Sequence, residues 1–129
     1  MDLSHKNAIA SLLDLNQDTE EYADATVKNI IEDKNFNSLT YPPKNGLTDL
    51  EKAELNKLDN NEHLKNALRK IIAGNSAGVI FNRLNLFDGK ASPKLHYDNW
   101  KGVKLIYEEP DADTETFADT LHDGFFETY

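Results

Sequence analysis

The sequence predicts an α+β domain that is mainly α-helical, with a bundle-like helical core, a small β-hairpin near residues 95–108 and a carboxy-terminal helix. Three observations lead there. Apolar residues recur at helical spacing through most of the first 86 positions, capping signals punctuate them, and one stretch, GVKLIYEE, alternates with strand periodicity. A chain of 129 residues, 39% of them hydrophobic, suits a single domain over residues 1–129 that buries a core without disulfides or metals.

The opening SHKNAIASLLDL sets Ala8, Ile9, Leu12 and Leu13 on one helical face, with Asp2 or Ser4 available as N-cap. Asp18-Thr19-Glu20-Glu21 then has capping-box spacing. A second helix carrying Ala23, Val27, Ile30 and Ile31 starts there or continues the first, to about residue 34. NFNSLTYPPKNG, residues 35–46, opposes helix through its asparagines, Pro42-Pro43 and Asn45-Gly46, and reads as a linker. Thr48 precedes Glu51 by three residues, a second capping box, and opens a helix with Leu50, Leu55 and Leu58. The cluster Asp59-Asn60-Asn61 ends that helix and supplies the next N-cap.

From Asn61 onward, Leu64, Ala67, Leu68, Ile71 and Ile72 form an apolar stripe, which Ala77, Ile80, Phe81 and Leu84 extend toward Asp88-Gly89. This predicts one long or kinked buried helix in which Gly74 and Gly78 let a neighbour approach. Residues 79–87 also satisfy a period of two at Ile80, Leu84 and Leu86, so a strand reading stands beside the helical one. The favoured reading is helix to about residue 86, then a loop through Pro93. Val103, Leu105 and Tyr107 alternate with Lys104 and Glu108 after the turn Trp100-Lys101-Gly102, and LHY at 95–97 or SLTY at 38–41 offers a strand partner. Phe117, Leu121, Phe125 and Tyr129 predict the closing helix, with Asp119, Asp123 and Glu127 on its outer side.

Composition narrows function. The absence of cysteine excludes disulfides, thiolate metal sites and cysteine nucleophiles. The amino terminus has neither a basic region nor a long apolar run, and no Asn-x-Ser/Thr acceptor occurs, so a cytoplasmic protein that does not enter a membrane is expected. The net charge of -9 is segregated: residues 1–41 carry eight acids and three bases, residues 42–104 seven acids and eleven bases, and residues 105–129 eight acids and no Lys or Arg. Such a chain repels nucleic-acid phosphates and attracts a basic protein partner.

Several patterns could carry chemistry. Gly74-Asn75-Ser76-Ala77-Gly78 matches the G-x-S-x-G elbow of serine hydrolases, with Asp98 and His122 following in order. An elbow needs a strand before the serine, however, and the preceding LKNALRKIIA has helical spacing, so Ser76 reads as a small residue at a helix crossing. Asp111, Asp113 and Glu115 occupy positions 1, 3 and 5 of a calcium loop. Thr116 and His122 then stand where glycine and glutamate are needed, which favours a solvated acidic loop. His122 and Asp123 could form a metal or acid/base centre if His96, or alternatively His63, converged on them. No cofactor is expected. Lys90, Lys94, Lys101 and Lys104, near Tyr97 and Trp100, read as charge balance for the acidic ending.

FNRLNLFDG, WKGVKLIYEE and LHDGFFETY, taken in this order, resemble a group of small bacterial proteins of uncharacterised activity. These combine an apolar helix ending in Asp-Gly, a short strand and a carboxy-terminal His-Asp-x-Phe helix. The resemblance covers residues 60–129 and implies immunity-type or partner-binding roles. The leading expectation is a non-enzymatic protein-binding domain acting through Asp111, Asp113, Glu115, Asp119, Asp123 and Glu127. One alternative is a metal-dependent or hydrolytic enzyme at His122 and Asp123 with His96. Another is a self-associating structural protein, a homodimer through its aromatic ending.

Overall fold

The computed structural model describes residues 5–39, 46–94 and 99–103. Within them the chain is mostly α: α1 (His5–Val27) runs directly into a π-turn (Lys28–Glu32), a 3-10 turn (Phe36–Ser38) follows, then α2 (Asp49–Asn56) and α3 (Glu62–Phe87). The two long helices lie antiparallel. Glu20 of α1 meets Arg69, Glu32 meets Lys65, and at the other end Leu15 shares a cleft with Ala77 and Leu84.

The π-turn explains how the core is aligned. Ala23, Val27 and Ile31 follow one another at intervals of four, and in α geometry each such step overshoots a full turn by about 40°. The wider turn at Lys28–Glu32, closed by Asp33 N–H donating to the Lys28 carbonyl at 2.9 Å, offsets that drift. Ala23 and Ile31 are each only 1% exposed as a result, and with Val27, Phe36, Ala73 and Leu86 they form the buried core of the described residues.

Capping chemistry fixes the helix ends as the sequence predicts. The Thr48 hydroxyl accepts from Glu51 N–H while the Glu51 carboxylate accepts from Thr48 N–H at 2.7 Å, and the Asn61 side chain accepts from Leu64 N–H at 3.1 Å. α2 has no buried residue, and polar clips tie it to the chain after α1. Lys34, at a left-handed φ of 49°, sends its ammonium to the Leu58 and Leu55 carbonyls at 2.6 and 3.2 Å, placing positive charge at the carboxy end of α2.

α3 ends in a Schellman arrangement in which Lys90 N–H donates to the Asn85 carbonyl and Gly89 N–H, at φ 71°, to that of Leu86. Two further donors arrive from the returning chain. The Trp100 indole N–H reaches the Leu86 carbonyl and Val103 N–H the Phe87 carbonyl, both at 2.9 Å. With Asp88 N–H on Leu84, every one of the last four carbonyls of α3 is paired.

Three expectations are corrected. No strand occurs among the described residues, so the fold is mostly α and the hairpin near 95–108 is not seen. Residues 99–103 form a turn and coil, and the Val103 amide is committed to a helix carbonyl in place of a strand ladder. The rest of that hairpin, residues 95–98 and 104–108, and the predicted closing helix fall outside the described residues. Asp18–Glu21 caps nothing because α1 passes through it, with Gln17 donating to Glu21 and the Thr19 hydroxyl to the Leu15 carbonyl. Residues 79–87 are helical, as the favoured reading has it. α3 itself is not buried.

That last correction has a geometric cause. At about 100° per residue, Leu64, Ala67, Leu68, Ile71 and Ile72 centre on one side of α3 and Ala77, Ile80, Phe81 and Leu84 on roughly the opposite side. The two stripes are therefore out of phase. The second lies toward α1, while Ala67 and Ile71 of the first are exposed, Ile71 to 66%, and only Ala73 and Leu86 are buried on the whole helix. A Cβ at Gly74 or Gly78 would meet nothing within 4 Å, so neither glycine serves a helix crossing here.

Candidate functional site

A seam of ion pairs joins α1 to α3. Lys65 sits between Glu32, at 2.9 Å, and Glu62, while Arg69 reaches Glu20 at 2.8 Å and Asp24 at 3.8 Å. Hydrogen bonding and attraction from Lys65 hold the Glu32 carboxyl below its ordinary pKa, and Glu62 and Glu32 together raise that of the Lys65 ammonium. A lowered carboxyl pKa gives stability that is present above the unfolded value and lost as pH falls through the folded one; the raised ammonium contributes until alkaline pH removes its proton. Thermal melts should therefore be flat through neutral pH and decline in the acid range below the usual carboxylate pKa. Glu32→Gln should flatten that decline, and an unchanged acid limb would remove the seam from the account.

Outside the seam, α1 presents an acidic face. Asp14, Asp18 and Glu21 fall at i, i+4 and i+7 on the solvent side, and no Lys or Arg lies between Lys6 and Lys28. None of the three forms an ion pair among the described residues, although Glu21 accepts from Gln17. Leu13 and Tyr22, 63% and 74% exposed, flank the row on its two sides. Large apolar side chains thus stand beside carboxylates that form no ion pair among the described residues.

At the amino end of α1 the packing opens. Leu15, Asn16, Thr19, Ala77, Ile80, Phe81 and Leu84 line a cleft between the two long helices. Ile9 and Leu12, on the turns of α1 just beyond it, remain exposed although they lie on the core-facing line of the helix. The apolar surface is thus continuous from the cleft to Leu13, at the edge of the acidic row.

The residues that the sequence offered for chemistry are placed unevenly. Ser76 is half-buried within α3 and no strand precedes it, in agreement with the sequence reading against a nucleophile elbow. His63 is exposed in the first turn of α3. His96, Asp111, Asp113, Glu115, Asp119, His122, Asp123 and Glu127 lie outside the described residues, as do Tyr97, Asp98 and Lys104. Among the described residues no three His, Asp or Glu side chains gather as a metal site would require. The α1 acidic row escaped the sequence reading, although its signal, eight acids against three bases in residues 1–41, was legible.

No family model, curated protein or solved structure matches the chain. No helix among the described residues is long and apolar enough to cross a membrane.

Proposed function

We propose that this chain is a non-enzymatic protein-binding domain that docks a basic partner on the outer face of α1. The observation that carries the reading is the row Asp14, Asp18 and Glu21, without ion pairs among the described residues, set between exposed Leu13 and Tyr22. Carboxylates of one sign steer a cationic protein and select against acidic ones, while the leucine and the tyrosine supply the desolvated contacts that give a complex its lifetime. An immunity-type inhibitor, the role implied by the resemblance of residues 60–129, is one protein of this class. Asp111, Asp113, Glu115, Asp119, Asp123 and Glu127 carry the same sign and would add to the field drawing such a partner.

A lysine-rich amphipathic helical peptide serves as a probe, titrated calorimetrically against the full chain at about 20 and about 300 mM salt. The expected result is binding that weakens with salt, falls about tenfold or more in D14K/D18K/E21K, and falls separately in L13S/Y22S. Binding indifferent to Leu13 and Tyr22 would reduce the interaction to nonspecific charge, and binding indifferent to the three carboxylates would place the site elsewhere. Either result overturns the proposal.

A further inference from the structure

The contact between α1 and α3 carries one continuous groove along its length. A cleft at Asp24, Glu32, Lys65 and Arg69 runs into a second at Glu20, Lys70 and Gly74, and that into the cleft at Leu15, Ala77, Phe81 and Leu84. Neighbouring clefts share Arg69 at one junction and Asn16, Thr19 and Ala77 at the other. From Lys65 to Leu84 the groove is about 29 Å long, at about 1.5 Å of helix rise per residue. Its two walls have opposite charge. Between Lys6 and Lys28 every charged side chain of α1 is acidic, and after Glu62 every formally charged side chain of α3 is basic. Among the described residues, ion pairs tie the walls only at Glu20, Asp24 and Glu32, and Lys70 forms none. Phe81 stands 64% exposed and a Cβ on Gly74 would meet nothing within 4 Å, so no described residue fills the groove there.

We propose that a second copy of the chain covers this groove, each α1 lying on the α3 of the other in a two-fold, four-helix arrangement. A face with one acidic wall and one basic wall is complementary to itself. A two-fold axis along the groove sets acid on base at both walls, whereas an axis across it sets α1 on α1 and α3 on α3, like charge on like. Register follows from the contacts within one chain, because an axis along the groove keeps every residue at its own level. Lys70 adjoins Arg69, which bonds Glu20 and Asp24, so Lys70 of one copy meets Glu20 and Asp24 of the other. Both carboxylates have room for a second cation, their side chains being 58% and 64% exposed. Phe81 shares its cleft with Leu15, so Phe81 of one copy packs on Leu15 of the other. Two helix widths by the groove length give a face of about 600 Å² in projection, the order of the roughly 800 Å² per partner in standard interfaces. A partner of another kind would need acidic and basic rows at the same separation. The second copy has them by construction.

Sedimentation equilibrium of the full chain between about 5 and about 500 μM tests the association, and the mass should rise from 14.6 kDa toward twice that value. F81E and K70E should each raise the dissociation constant about tenfold or more, and D24K should recover most of the loss in the K70E background. Because the chain contains no cysteine, single-cysteine variants report the arrangement without background. In an equimolar mixture of L15C and F81C, disulfides joining the two variants should form faster than those joining two copies of either one, read from the masses of the linked peptides. Circular dichroism of each variant separates loss of association from loss of fold. A mass of 14.6 kDa throughout, a dimer indifferent to both F81E and K70E, or faster linkage of like with like would each overturn the proposal. The peptide titration rests on Leu13, Asp14, Asp18, Glu21 and Tyr22, none of which is altered here, so the two proposals can fail independently.

Discussion

Replacing Ile31 by alanine is expected to cost about 3 kcal/mol of stability, measured as a lower urea midpoint with little change in slope. Ile31 is 1% exposed and stands at the π-turn, where the line of Ala23 and Val27 passes on toward Phe36. Truncation removes several methyl and methylene groups and leaves a cavity in the core. The buried core of the described residues contains only six side chains, so one such loss removes a large fraction of a stability that for most domains lies between about 5 and 15 kcal/mol. Ile31→Val should cost only about 1 kcal/mol. Equal effects from the two variants would show that side-chain volume at this site is not what the core depends on.

Gly102→Ala is the second large effect expected, and it should act at the end of α3. Gly102 has φ 93°, and a Cβ there would lie 2.5 Å from the Phe87 carbonyl oxygen and 2.9 Å from the Gly89 amide nitrogen. The approach is reciprocal, since a Cβ on Gly89, at φ 71°, would lie 2.8 Å from the Lys101 carbonyl oxygen. Both contacts are with backbone, which cannot rotate away as a side chain can. The alanine variant should lose about 2 kcal/mol or more, and the returning chain should detach from the helix. The only tryptophan reports this directly, because Trp100 donates to the Leu86 carbonyl in the same clip. Its fluorescence should shift to the red in G102A under native conditions. A native-like spectrum with unchanged stability would mean that the glycine pair is not needed for closure.

Legibility followed the range of the interaction. Thr48 with Glu51, Asn61 as N-cap and Asp88-Gly89 as terminator are effects within three or four residues of one another, and each was readable from spacing. The strand assigned to Val103 failed for the complementary reason: alternation is a local pattern, and the carbonyl that claims the Val103 amide lies sixteen positions away at Phe87. The stripe of α3 misled in a different way. Each half of the helix has good 3.6-residue spacing, but a periodic pattern records only relative phase within a window and so does not register the half-turn between Ile72 and Ala77. Lys34 was missed altogether, because nothing in the sequence marks a lysine whose partners are main-chain carbonyls at Leu55 and Leu58.

By itself, then, the sequence determined the helical identity of residues 62–72, the caps at Thr48 and Asn61, the stop at Asp88-Gly89 and the segregation of charge, all of which depend on residue type and short spacing. Only the tertiary structure decided which stripe of α3 meets α1, that the acids of α1 and its π-turn divide, among the described residues, into a paired seam at Glu20, Asp24 and Glu32 and a row without ion pairs at Asp14, Asp18 and Glu21, and that the tryptophan clip closes the end of the long helix. The physical reason is that charge and hydropathy belong to a residue, whereas pairing and burial belong to the neighbour opposite it, which the chain brings up from thirty to fifty positions away.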